Sequence, residues 1–207
     1  MHLPDFIAYF FLAVAFSFFG SVPPATGNLI TIQTSITKGI KAALIFALGE
    51  VIIELIYGYI SLEISNLIAQ VEGDDFYLKI IVIPIFAALS AYYFLNKKTV
   101  EKEARINYKT SFYYGLLIGL LNPLAIPYWI FYFSYFYSNG WIKQDSPYLY
   151  FLLVGIPVGS FLLLTTYAVL GKKIATVLKF RIELLNKSIA FVFLLMALLQ
   201  TIQLLID

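Results

Sequence analysis

Apolar residues are grouped along this chain into six stretches, each about long enough to cross a bilayer, with polar and charged residues concentrated between them. The stretches run from Phe6 to Val22, Ile40 to Leu62, Tyr77 to Leu95, Phe112 to Tyr137, Tyr148 to Leu170 and Ser188 to Ile206. A spanning helix needs roughly 17–25 predominantly apolar residues. In lipid every backbone amide must be satisfied inside its own segment or in a closed barrel, so uninterrupted runs of this length predict helices. The expected fold is all-α, a polytopic membrane protein of six transmembrane helices, and 207 residues leave no room for a separate soluble domain.

Composition supports this pattern. Hydrophobic residues make up 61% of the chain and charged residues 13%, against about 45–50% and about 25% in an ordinary soluble domain. The N-terminal Met1-His2-Leu3-Pro4-Asp5-Phe6 has no basic cluster, so the first stretch is expected to be a retained helix rather than a signal peptide.

The charges orient the chain. Lys38 and Lys41 follow the first span, Lys97, Lys98, Lys102, Arg105 and Lys109 the third, and Lys172, Lys173, Lys179, Arg181 and Lys187 the fifth. Twelve of the fourteen basic residues thus fall on one side; Lys79 and Lys143 fall on the other. The positive-inside rule puts the richer side in the cytoplasm and both termini in the periplasm. The last basic stretch interleaves Ile174, Val177, Leu178, Ile182 and Leu185 with its lysines, so it either lies on anionic headgroups or is a solvated linker. Tyr132, Tyr135, Tyr137, Trp141, Tyr148 and Tyr150 crowd the outer end of the fourth span and the start of the fifth. An interfacial aromatic belt accounts for them, and an aromatic substrate cage is the alternative.

A short motif recurs at half the chain length. Gly20-Ser21-Val22-Pro23-Pro24 aligns with Gly119-Leu120-Leu121-Asn122-Pro123 at an offset of 99 residues, and each opens a three-span half, about 1–95 and 112–207 of a single transporter domain. An odd number of spans per half makes the halves inverted repeats, a common plan among secondary transporters; two ordinary proline kinks are the simpler explanation. Pro23 and Pro24 remove backbone donors, so carbonyls upstream lose their helical partners. Thr26, Asn28 and Gln33 follow at once. A helix restarting there would present N–H groups and a partial positive charge to an anion. One helix from Phe6 to Thr37 would be about 48 Å long at 1.5 Å per residue, too long for a core of roughly 30 Å, so a break is expected. Asn122 and Pro123 form the corresponding interruption of the fourth span. Pro23, Pro24, Thr26, Asn28, Gln33, Asn122 and Pro123 are therefore the candidate substrate-binding residues.

Glu50 and Glu54 lie four apart on one face of the second span, extended by Ala47, Tyr57 and Ser61. A carboxylate at bilayer depth costs on the order of 2.5–3.5 kcal/mol even on the lenient insertion scale, so two need a use or a partner. They are candidates for proton or cation coupling, or for binding a substrate ammonium; two protonated carboxyls hydrogen-bonded between helices are the structural alternative. No basic residue lies inside any span to pair with them.

These motifs resemble the LysE/RhtB-type amino-acid exporter family over essentially the whole chain. Pro23-Pro24-Ala25-Thr26-Gly27-Asn28 is similar to the break that ends the family's first span, Gly39 to the glycine opening the second, Gly49 to Glu54 to its glycine-acidic pattern, and Asn122-Pro123 to its fourth-span motif. Ala25 and Ile53 stand where the family usually has glycine, and Glu50 is an additional carboxylate. The resemblance implies a secondary exporter of amino acids or related metabolites in a bacterial inner membrane, driven by a proton or ion gradient.

Other function classes fit less well. Two carboxylates could serve a metal-ion or inorganic-ion exporter, but the one histidine, His2, lies outside the spans. An intramembrane enzyme lacks its parts: there is no cysteine, no histidine in a span, and no nucleophile-elbow, zinc or phosphate-loop motif. A structural membrane protein would not need buried glutamates. No cofactor, metal site or nucleic-acid partner is expected. The expected partners are a small-molecule solute and membrane lipids, with a homodimer left open.

Overall fold

The computed structural model describes residues 5–22, 26–70, 108–122 and 125–179, with scattered positions between 83 and 95 and between 187 and 205. Among the described residues every regular element is an α-helix: α1 Asp5–Gly20, α2 Thr26–Lys38, α3 Ile40–Gln70, α4 Tyr108–Leu120, α5 Ala125–Ser138 and α6 Leu149–Lys179. The described residues are thus all-helical. By length and hydropathy Ile40–Ile68 and Leu149–Gly171 can each cross a bilayer alone, and the bent pair Thr110–Leu120 and Ala125–Ser138 makes a third candidate span. The spans expected at Tyr77 to Leu95 and Ser188 to Ile206, and the basic stretches beside them, lie largely outside the described residues. The positions that are described there are helical, and the Ser90 hydroxyl donates to Ala190 O at 2.8 Å, joining the two.

The expected breaks are present. The apolar run from Phe6 to Thr37 divides into α1 and α2, and the fourth run divides into α4 and α5, whose axes differ by 61°. Pro23, Pro24 and Pro123 themselves lie outside the described residues. A third interruption falls at Gly39, between α2 and α3, where φ is +90°. Only a residue without a Cβ takes that conformation at little cost, and Gly39 N donates to Ser35 O as α2 ends.

Lipid tails are as apolar as leucine, so helices in a membrane associate through close packing and interhelical hydrogen bonds, with small residues at the crossings. Both kinds of contact recur here in matched pairs. α1 lies along α6 and α4 along α3; α2 rests on α6 and α3, α5 rests on α3, and α3 and α6 cross each other. Where α4 meets α3, a Cβ on Gly115 would collide with Phe46 O and one on Gly49 with Phe112 O. Where α1 meets α6, a Cβ on Gly155 would press on Phe10 O and Ala13, and one on Gly159 on Val14 O and Ser17. An apolar cluster built from Tyr9 and Ala13 of α1, Leu62 of α3, Trp129, Phe133 and Phe136 of α5, and Leu152 and Ile156 of α6 fills the space between these crossings.

Candidate functional site

The freed carbonyls at the first break find side-chain partners. Asn28 Nδ2 donates to Ser21 O at 2.7 Å, and the Tyr167 hydroxyl of α6 donates to Val22 O at 2.6 Å. One turn earlier the Tyr128 hydroxyl of α5 donates to Phe16 O at 2.8 Å, lying over Gly20 where any side chain would collide with it. At the second break the Tyr57 hydroxyl of α3 donates to Leu120 O at 2.8 Å. Each break is thus held by a tyrosine from the long helix of the other half, which meets the requirement that backbone groups in lipid be paired.

Glu50 and Glu54 project from α3 into this region. Glu50 is 6% exposed, and its carboxyl group lies directly against Gly27 in the first turn of α2, so close that a Cβ there would overlap it. Glu54 lies beside Ser160 of α6. One carboxyl oxygen of each, Oε2, is buried with no hydrogen-bond partner, as are the hydroxyls of Thr31 on α2 and Thr165 on α6. Ser160 belongs to a cluster of hydroxyls: Ser17 Oγ and Ser160 Oγ are 2.8 Å apart, Ser21 Oγ and Ser160 Oγ 3.2 Å, and Ser17 Oγ donates to Ile156 O at 2.7 Å. Tyr128, whose ring lies 4.6 Å centroid to centroid from that of Tyr132, completes the wall on the α5 side. The result is a buried polar site between α1, α2, α3, α5 and α6, with two carboxyl groups and no lysine, arginine or histidine projecting among these partners.

The polar face of α3 continues past the glutamates. Ser61 Oγ donates to Ile126 O at 3.1 Å and Ser65 Oγ to Ile130 O at 3.3 Å. Together with Tyr57 they fasten the α4–α5 bend to α3. The Ala47, Tyr57 and Ser61 face expected from the spacing is therefore one continuous stripe.

Residues 18–204 match the profile of the family described as LysE type translocator. The chain belongs to that family. No curated protein and no solved structure matches it. This translocator is accordingly a membrane protein of a transport family, as its motifs suggest.

The candidate residues are not all brought together. Asn28 is buried and holds the first break, while Gln33 is half-buried further along α2. Thr26 is exposed, so of the polar residues expected to line the restart of α2 it is Asn28 that faces inward. Asn122 is half-buried just beyond α4, with its backbone N–H on Gly119 O at 3.0 Å. Pro23, Pro24 and Pro123 lie outside the described residues. Of the expected aromatic belt, Tyr132 instead packs into the interior, 4.8 Å centroid to centroid from Phe16, whereas Trp141 stacks on Phe136 at 5.7 Å with half its surface exposed.

Ser17, Ser21, Ser160, Gly27 and Tyr128 all belong to the site and are absent from the expected set. A lone serine in an apolar helix carries little signal, and these depend on partners more than 100 residues away for their meaning. The glycines of α4 and α6 did carry a signal: Gly115 to Gly119 and Gly155 to Gly159 are each a small-xxx-small spacing of the kind that lets helix backbones approach.

Proposed function

We propose that this translocator is a secondary active exporter of amino acids or related small metabolites, working across a bacterial inner membrane with both termini in the periplasm. Membership of the LysE type translocators supports the class of activity. The distribution of lysine and arginine supports the orientation. The paired packing of α1 on α6 and α4 on α3, with a broken helix in each half, supports reading the chain as two inverted three-helix repeats about a shared site.

The observation that carries the mechanism is the buried Glu50 and half-buried Glu54, each with a buried, unpartnered carboxyl oxygen, where the first break meets α3 and α6. A buried carboxylate without a cation is costly. Such a group therefore takes up either a proton or a cationic part of the solute, and it gives up one when it receives the other. Exchange of this kind at one carboxyl pair is sufficient to couple export to a proton gradient. Asn28, at the restart of α2, would orient the solute. In this reading the α1–α2 and α4–α5 interruptions frame a site that opens alternately to each face.

Reconstituted in vesicles with an imposed proton gradient, the wild-type protein is expected to drive efflux of an amino acid, and Glu54→Gln to abolish that efflux while inserting normally. Normal pumping by Glu54→Gln would remove the coupling role. Growth of a deletion strain against single amino acids and against metal salts identifies the solute class; sensitivity to metals alone would replace the amino-acid reading with an inorganic-ion exporter.

A further inference from the structure

Several hydroxyls inside the helices of this translocator donate to the carbonyl four residues back. Thr37 donates to Gln33 O at 2.8 Å, Ser61 to Tyr57 O at 2.7 Å, Thr166 to Leu162 O at 2.9 Å and Thr201 to Ala197 O at 2.8 Å. Thr31 does not. It is 0% exposed, and its hydroxyl oxygen has no hydrogen-bond partner on its own helix or on a neighbouring one. An unpaired hydroxyl is costly in an apolar interior, and valine has nearly the same shape without that cost. The place of Thr31 suggests what the hydroxyl is for. Gly27 and Thr31 are one turn apart on the same buried face of α2. Glu50 of α3 seats its carboxyl group on Gly27, with Oε2 2.5 Å from the position that a Cβ there would take. That oxygen too is buried and unpartnered. Helical side chains lean toward the N-terminus of their helix, so Thr31 leans along α2 toward the Glu50 carboxyl. Cβ positions one turn apart are separated by about 5–6 Å, close to the span of two hydrogen bonds of about 2.8 Å to one shared nitrogen.

We infer that Thr31 is a specificity-determining residue, whose hydroxyl oxygen accepts one N–H of a primary ammonium group of the solute while Glu50 Oε2 accepts another. This rests on the proposed role of the carboxyl pair in taking up a cationic part of the solute. Other groups fit these two oxygens less well. A proton joins two oxygens only at hydrogen-bond distance, and these two make no hydrogen bond with each other. A divalent cation takes about six oxygen ligands or more, and among the described residues no three metal-ligating side chains gather at one place. From Thr26 to Thr37 and from Ala42 to Gln70 neither helix carries a lysine, arginine or histidine, so the positive charge is left for the solute to bring. Glu54, one turn along the same face of α3, adds a second negative charge. A primary ammonium carries three N–H donors and can address both oxygens at once. A fully alkylated nitrogen has no N–H, and the Thr31 hydroxyl offers it nothing.

The test uses the whole chain in lipid nanodiscs and follows thermal unfolding. Methylammonium chloride is the probe, and tetramethylammonium chloride at the same concentration controls for charge and ionic strength. Methylammonium is expected to raise the unfolding temperature of the wild type, and tetramethylammonium to leave it unchanged. Without either salt, Thr31→Val is expected to unfold at or above the wild-type temperature, because an unpaired hydroxyl has been removed. It is expected to need about 10- to 100-fold more methylammonium for the same shift, the usual worth of a hydrogen bond to a charged group. Thr31→Ser, which keeps the hydroxyl, should respond nearly as the wild type does. Early unfolding of Thr31→Val would make the hydroxyl a structural one and overturn the inference. Equal responses to methylammonium in wild type and Thr31→Val would overturn it as well, as would a wild type that responds to both salts alike or to neither. None of these measurements involves transport. If they come out as expected while gradient-driven efflux fails, the ammonium site stands and the export reading falls, so the two are separable.

Discussion

The two halves of this translocator share a packing scheme and differ in chemistry. In the first, α3 receives α4 at Gly49; in the second, α6 receives α1 at Gly155. Glu54 follows Gly49 by the same five residues by which Ser160 follows Gly155, and Glu50 occupies the place of Ile156. The corresponding residues Glu54 and Ser160 lie beside each other. Close packing is thus repeated, whereas the two carboxyl groups of the site, Glu50 and Glu54, both lie on α3. Gripping a neighbouring helix needs only small residues at the right spacing, which both halves supply. Proton or cation exchange needs a carboxyl at one place, and a second pair on α6 would cost several kcal/mol more in lipid.

The sharpest way to break this comparison is to fill the crossings. In both halves a side chain would meet backbone, which cannot step aside as a flexible side chain can. Gly115→Leu and Gly155→Leu are each expected to destabilise by about 3 kcal/mol, the upper end of ordinary overpacking. The measurement is thermal unfolding in detergent together with the fraction recovered monodisperse. If one variant unfolds early and the other is indistinguishable from wild type, the two crossings are not equivalent and the halves do not pack alike.

Much of this scheme is legible in the residues themselves. The offset of 99 residues marks both breaks, and the spacing of Glu50 and Glu54 marks the polar face of α3, because helical periodicity and bilayer thickness act locally. The bond between Ser17 and Ser160 is of another kind. It depends on which helix lies beside which, and no local pattern carries that. Gly27 illustrates the same limit: its sequence context marks the restart of α2, and only the packing reveals that its hydrogen leaves room for the Glu50 carboxyl. Thr26 fails for the converse reason. Its position suits an anion at the helix start, but the rotation of α2 turns Gly27 and Asn28 inward and Thr26 out.

A second, smaller effect sharpens the difference between the breaks. The first has a glycine with a carboxyl group seated on it, while at the second the start of α5 carries buried Ala125 and half-buried Ile126. Gly27→Ala is expected to lower stability by about 1–2 kcal/mol through overlap with Glu50. In a Glu50→Ala background the same change should cost almost nothing, since the clashing atoms are gone. A double-mutant cycle on thermal unfolding should therefore give a coupling of about 1 kcal/mol. Additive losses would mean that the contact between α2 and Glu50 plays no part.

The smallest effect is expected where α3 and α6 cross each other. A Cβ on Gly58 would meet Ile156 Cδ1, the end of a flexible side chain, and its other neighbours lie 3.8 Å away. Backbone fixes the crossings at Gly115 and Gly155, whereas this one is cushioned by side chains that can change rotamer. Gly58→Ala should therefore cost less than about 1 kcal/mol, a shift of roughly 2–4 °C or less for a chain of this size. Cushioned contact at the centre and rigid contact at the flanks suit a protein in which α1–α6 and α3–α4 move as units against each other. A loss in Gly58→Ala as large as that in Gly115→Leu would place the rigid contact at the centre instead, and the two pairs could not then slide past one another.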